Sequence, residues 1–312
     1  MRKDFKYIFG PVPSRRLGLS LGVDIVPYKT CTYDCIYCQL GRTTDLTTAR
    51  RSYAPVLEIL KELEENLSSI TRADFITFSG SGEPTLHSGI GDIVDGIKKI
   101  TKIPVALLTN GSLLWLPEVR NAILNVDIVL PSLDAATPEI FSRINRPHSD
   151  INYEKMLSGL ISFRQEYRGQ IWLEIFLVKG INDNEDEISR MADLVEKIAP
   201  DKVQLNTAVR PTAERSVEAV DIKTLEKIAS KFKRAAEIIA DVNISHDGDE
   251  RGCMDDILAM IARRPCTADD VSKALGLNVN EVIKYLEVLR TRSDLTSEYR
   301  SGKLYYIAKT TG

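Results

Sequence analysis

Histidine is scarce in this chain. His87, His148 and His246 are the three in 312 residues, and their spacing is not that of metal ligands, so no histidine-based metal centre is assigned. Long apolar runs are missing as well. No stretch approaches the roughly 18 residues of a membrane span, and the start Met1-Arg-Lys-Asp-Phe-Lys-Tyr-Ile-Phe9 lacks the apolar segment of a secretory signal. A cytoplasmic chain that does not enter a membrane is expected. Neither sign of charge dominates: the formal net charge of −3 gives no general pull toward nucleic acid or anionic lipid. Cysteine is sparse, and its odd total of five argues against a disulfide framework. There is no internal repeat and no low-complexity segment, which excludes solenoids and biased tails.

What remains is ordinary globular material. Hydrophobic residues make up 43% and charged residues 27%. The length suits one large domain and one small one, and the expected division is 1–250 and 251–312. Between about residues 20 and 245, β-branched runs alternate with helical periodicity. Strands are predicted over 21–26, 75–78, 105–108, 127–130, 171–178 and 203–205. Helices are predicted over 56–67, 90–100, 116–124, from Thr137-Pro138, and over 153–163, 184–198 and 222–239. Asn184 and Glu187 stand at capping-box spacing. The alternation implies a parallel sheet covered by helices, either a partial six-unit barrel or an open doubly wound sheet. From 254 onward the order changes to three helices and a hairpin turning at Arg300-Ser-Gly302-Lys303. This is the order of a winged helix.

Three of the five cysteines crowd into one loop, Cys31-Thr-Tyr-Asp-Cys35-Ile-Tyr-Cys38. Three thiolates can ligate three irons of a cubane cluster and leave the fourth iron open to a ligand that reacts, as a catalytic zinc keeps an open position. Two other readings fit the spacing. One is inert packing along a helix face, which the intervening Thr, Tyr and Asp disfavour. The other is structural zinc completed by Cys253 or Cys266, which lacks a close partner pair of cysteines. Packing is the default for Cys253 and Cys266 themselves.

Further segments stand at strand ends, where parallel α/β folds place ligands. They are Gly80-Ser81-Gly82-Glu83-Pro84, Thr109-Asn110-Gly111, Ser132-Leu-Asp134 and Gly180-Ile-Asn182-Asp183. Glycines allow close backbone approach, and a carboxylate accepts from an ammonium. Near the start, Arg15 and Arg16 could grip a phosphate or carboxylate, or form structural ion pairs.

The CxxxCxxC loop after the first strand resembles that of the radical S-adenosylmethionine (SAM) superfamily. The resemblance covers about residues 20–210. Its core motifs are similar to those of molybdenum-cofactor-type members. The opening Phe9-Gly-Pro-Val-Pro-Ser-Arg15-Arg16 resembles stand-alone iron–sulfur oxidoreductases grouped with the wyosine tRNA synthases. The wyosine enzymes carry extra cysteines upstream; here none precedes Cys31, which counts against that reaction.

The resemblance implies a partial (β/α)6 radical SAM barrel, to which the C-terminal order of elements adds a winged-helix domain. It makes Cys31, Cys35 and Cys38 the ligands of a 4Fe–4S cluster. It puts Tyr37 near the adenine of SAM, and Gly80, Gly82, Glu83, Thr109, Asn110 and Ser132 on SAM, with Ser81 where the family has a glycine. The implied reaction is reductive cleavage of SAM to methionine and a 5′-deoxyadenosyl radical, which abstracts hydrogen from a substrate. It needs a low-potential electron donor. The expected substrate is an RNA base or small molecule; a protein or peptide partner is the alternative. A third reading is a redox sensor that binds DNA. The mixed charges Glu281, Lys284, Glu287 and Arg290 on the third C-terminal helix make sequence-specific DNA binding an unfavoured role.

Overall fold

The computed structural model describes residues 6–309 apart from 15, 69, 71, 211, 240–253, 276–278 and 301. Arg15, His246, Cys253 and the expected boundary at 250/251 lie outside the described residues.

A hairpin opens the chain: β1 (Ile8–Ser14) pairs antiparallel with β2 (Gly18–Val23). In the long loop that follows, the two-residue strands β3 (Thr30–Cys31) and β4 (Asp45–Leu46) pair in parallel. Helices and strands then alternate through α1 (Val56–Leu67), β5 (Phe75–Phe78), α2 (Ile90–Ile100), β6 (Val105–Thr109), α3 (Pro117–Ala122) and β7 (Ile128–Pro131). Next come α4 (Pro138–Asn145), α5 (Tyr153–Glu166), β8 (Gln170–Leu177), α6 (Glu185–Ile198), β9 (Lys202–Thr207), α7 (Ile222–Ala229) and β10 (Ala236–Ile238).

Apolar periodicity explains the helices. In α2, Ile90, Ile93, Val94 and Ile97 recur on one face and are fully buried, each worth about 1.5–3 kcal/mol. Thr137 caps α4 just before Pro138, and Asn184 caps α6 by accepting from Glu187 N at 3.0 Å. The expected reciprocal half of that capping box is not made. The Glu187 carboxylate accepts from Ala136 N at 2.6 Å instead, tying α6 to the loop after β7.

The six predicted parallel strands are present, within a larger sheet ordered β1-β2-β5-β6-β7-β8-β9-β10. From β2 onward every pairing is parallel. Each strand is added beside the one before it, so the winding never reverses. A doubly wound sheet must reverse its order, so that alternative is set aside. The helix predicted over 222–239 is also corrected. It stops at Ala229, and Ala236–Ile238 instead pairs with Val203–Leu205 of β9. The unpaired edge of β9 supplies backbone partners that a helical segment would leave unmet.

Helices cover one face of the sheet and build the main core with the outward residues of the strands. The other face carries Ala106, Leu108, Ile128, Leu130 and Trp172, with Leu17 of the β1–β2 turn packed on them. From the same turn, Arg16 reaches Glu174 in the middle of β8. Four strand spacings of ~4.8 Å separate β2 from β8 in a flat sheet. The ion pair therefore marks a curled sheet whose concave face the turn crosses.

The C-terminal elements are α8 (Met254–Arg263), α9 (Ala268–Leu275), α10 (Val279–Thr291) and the antiparallel pair β11 (Leu295–Arg300) and β12 (Lys303–Ala308). Thr267 and Asp270 cap α9 reciprocally, at 3.0 and 3.1 Å. These elements own a separate apolar cluster centred on Ile257, Val271, Leu286 and Leu295, with Val12 of β1 against it. Cys266 is buried in this cluster, as its packing default expected. Among the described residues no helix is long and apolar enough to cross a membrane.

Candidate active site

The loop that leaves β2 carries the three cysteines. Its own bonds shape it: Thr47 N donates to Cys31 O at 3.0 Å, and Thr43 N to Asp34 Oδ1 at 2.7 Å. Each cysteine sulfur faces its own N–H donor. Lys29 Nζ lies 3.2 Å from Cys38 Sγ, while Asn110 Nδ2 and Asn145 Nδ2 lie 3.6 Å from Cys31 Sγ and Cys35 Sγ. Such donors favour thiolates, the form that binds iron. As free thiols, these groups resist ionisation. Burial, then the Glu83 carboxylate, pushes Cys31 up to about 12, and burial followed by Cys31 holds Cys35 well above the ordinary thiol range. Bound metal charge reverses that balance. Among the described residues no three His, Cys, Asp or Glu side chains form a group that could hold a metal ion; of the two cysteines that could complete a zinc site, Cys266 is buried in a separate apolar cluster and Cys253 lies outside the described residues. A cubane spreads three thiolates over three different irons and needs no such convergence.

The second segment locks onto the first. Lys29 N donates to Ser81 O at 2.6 Å and Glu83 N to Thr30 O at 3.1 Å. A Cβ on Gly82 would lie 1.8 Å from the Thr30 carbonyl oxygen, so this approach requires glycine. Gly80 has φ of +139°, beside Asp24. Asp24 accepts from Ser81 Oγ at 2.5 Å and Ser81 N at 3.2 Å, and also from Arg263 of α8.

Glu83, fully buried, joins the third segment to the second. Its Oε1 accepts from Thr85 N at 3.0 Å and from the hydroxyls of Thr85 and Thr109 at 2.6 Å each, and Oε2 accepts from Asn110 N at 2.7 Å. Burial raises its pKa, and these bonds oppose the rise. Asn110 Nδ2 also donates to Thr32 Oγ1 at 2.7 Å, which returns the network to the cysteine loop.

Tyr37 stacks on Phe176 of β8, with ring centroids 3.9 Å apart, and donates to Asp134 Oδ2 at 2.5 Å. Asp134 also accepts from Asn145 Nδ2 at 2.8 Å and Phe176 N at 3.0 Å, and burial lifts its pKa to about 6. Ser132 follows β7 directly and bridges to Glu174. Asn182 clamps this corner, donating 2.8 Å bonds to Asp134 O and Phe176 O.

The hydrogen-bond network thus joins Cys31, Cys35, Cys38, Tyr37, Glu83, Thr109 and Asn110, with Gly80 and Gly82 in the segment it holds. Ser132 stands beside it at the end of β7. Lys29, Asn145 and Asp24 were missed by sequence reasoning. Lys29 alone left a signal, two positions before Cys31; the other two lack one, because only folding brings them to the loop. His87 is structural, held between Ala54 O at 2.8 Å and Gly89 N at 3.1 Å.

The family profile described as the radical SAM superfamily matches residues 25–194. This chain belongs to the radical SAM superfamily. Superfamily members are enzymes that use a 4Fe–4S cluster and SAM, and the thiol loop with its three sulfur-directed donors fits that cofactor pair. A protein named GTPase Obg from Brachyspira hyodysenteriae is 40% identical over 96% of this chain, which spans 45% of that protein. A UPF0026 protein of Methanocaldococcus jannaschii is 34% identical, with 96% of this chain and 95% of that one covered. More distant is the SAM-dependent tRNA 4-demethylwyosine synthase of Danio rerio, 21% identical over 80% of this radical SAM chain and 36% of its own length. A radical SAM methyltransferase from Sphaerobacter thermophilus shares the fold, with a TM-score of 0.54 and 14% identity over 70% of this chain and 65% of that one.

Proposed function

We propose that this enzyme binds a 4Fe–4S cluster through Cys31, Cys35 and Cys38 and cleaves SAM reductively, so that hydrogen is abstracted from an RNA base or a small molecule. The observation that carries the reading is the separate N–H donor at each of the three cysteine sulfurs. When bound, the cluster and SAM supply one-electron carbon–sulfur cleavage and hydrogen-atom abstraction.

The protein's own residues hold and orient. Glu83 fixes the backbone of Thr109-Asn110 and of the 80–84 segment, which offers close-approach glycines to the methionine end of SAM. Tyr37, held between Phe176 and Asp134, offers a fixed aromatic edge to the adenine end. The turn at Arg16–Leu17 and the C-terminal elements, which we read as a winged helix docked on the barrel, keep water from the concave face. A low-potential electron donor is the required partner.

Anaerobic reconstitution with iron and sulfide tests this. One cluster per chain is expected, lost in Cys31→Ala, Cys35→Ala or Cys38→Ala and kept in Cys266→Ala. Reduced protein with SAM should release 5′-deoxyadenosine, read by mass spectrometry. Full iron content in the triple cysteine variant would refute the reading.

A further inference from the structure

Three arginines from three separate parts of the chain gather where the C-terminal elements meet the concave face. Arg16 comes from the β1–β2 turn, Arg210 from the segment after β9 and Arg264 from the residue that follows α8. Arg16 pairs with Glu174 through Nη2, yet its Nε is buried without a partner among the described residues. Arg210 is 7% exposed; its Nη2 lies 3.3 Å from Asp270 Oδ1, while Nη1 is likewise buried and unpartnered. Arg264 feels both neighbours: after burial, the charges of Arg210 and Arg16 are what lower its pKa.

Buried guanidinium N–H groups without acceptors are costly, and gathering like charges adds to the cost. Two such groups in one cluster mark a site built for an acceptor from outside the protein. The planar fork of arginine matches the paired oxygens of a phosphoryl or carboxylate group.

The position connects this cluster to the chemistry. Glu174 precedes Phe176 by two residues on β8, so both side chains lie on the same face of the strand. Phe176 is the ring on which Tyr37 stacks, next to Cys38. We propose that Arg16, Arg210 and Arg264 bind an oxyanion group of the substrate, placing an anionic small molecule beside the SAM site. The proposal rests on the radical SAM reading for calling the ligand a substrate. Burial of Arg210, 7% exposed, favours a small molecule over an RNA chain, because a small anion reaches a buried side chain more readily than a polymer does.

Calorimetric titration of the reconstituted full chain, with SAM present, tests the site using inorganic phosphate and acetate as probes. Saturable binding of at least one probe is expected. Phosphate binding more tightly assigns a phosphoryl group, and acetate a carboxylate. Arg210→Gln and Arg264→Gln should each weaken the preferred probe by about 10–100-fold, the loss of one charge-assisted hydrogen bond. Iron content checks that each variant is folded, and Arg210→Lys should fall between wild type and Arg210→Gln. No saturable binding by wild type, or unchanged affinity in both glutamine variants, overturns the proposal. Wild type that forms 5′-deoxyadenosine but binds neither probe refutes this site alone. Anion binding without 5′-deoxyadenosine upholds the site and counts against the radical reading.

Discussion

Two buried carboxylates do most to fix the geometry around the cysteine loop. Glu83 accepts four hydrogen bonds from three residues. Glu83→Gln turns one acceptor into a donor facing donors already in place. Unfolding free energy should drop by about 1.5–3 kcal/mol, and SAM affinity should fall while iron content is kept. Denaturant unfolding and SAM titration check both. Asp134 behaves differently, because burial raises its pKa from 3.8 to about 6. Between those values the unfolded chain is the more ionised state and binds fewer protons. Stability from this group is therefore full below about pH 4 and is lost as pH rises through about 6, amounting to at most ~3 kcal/mol. Asp134→Asn removes that slope. In cluster-free protein, wild type should lose stability relative to the variant between pH 4.5 and 7, as measured by urea unfolding. An equal difference at both pH values would refute the assignment.

At the scale of elements, the link of interest runs from α8 to the 80–84 segment. Arg263 donates to Asp24, and Asp24 in turn holds the backbone and hydroxyl of Ser81. Arg263 also lies 4.1 Å from the centroid of the Phe9 ring, which packs over Gly22. Arg263→Gln should weaken SAM binding several-fold although the residue belongs to a C-terminal helix. Isothermal titration of the reconstituted variant reads this, and iron content equal to wild type would show that the cysteine loop is undisturbed. The same scale explains the failed prediction over 222–239. Leu225 and Ile228 keep helical spacing and are buried, but Phe232 turns into the core and the following residues meet the free edge of β9. Local periodicity has no access to an edge that arrives from thirty residues away.

At the scale of the whole molecule, the C-terminal elements hold the segment that follows β9. Tyr305 donates to Val209 O at 2.8 Å, Arg300 reaches Thr212 Oγ1 at 3.3 Å, and Arg210 meets Asp270. The three sulfurs and their donors all precede residue 146. Deleting residues 251–312 should therefore leave cluster assembly intact while lowering thermal stability and abolishing anion binding at Arg210. Iron analysis, melting curves and the phosphate titration separate these effects. Loss of the cluster in the truncated protein would contradict this division of labour.

The cysteine loop was legible in the sequence because its pattern is local: spacings of four and three keep the thiols in one short loop whatever the rest of the chain does. The α/β alternation was legible for the same reason, since helix and strand periods repeat within a dozen residues. What only the tertiary structure decided were relations between distant segments. Strand order chose the singly wound sheet over the doubly wound one, because the two share the same periodicity and differ only in which edges meet. Glu83 shows both halves. Its segment announced a carboxylate at a strand end, yet its partners Thr109 and Asn110, with Asn145 at a neighbouring sulfur, became visible only when β6 and α4 were packed against the loop. Hydrogen bonds depend on separations of about 3 Å, and no pattern along a chain encodes a distance between residues that folding alone brings together.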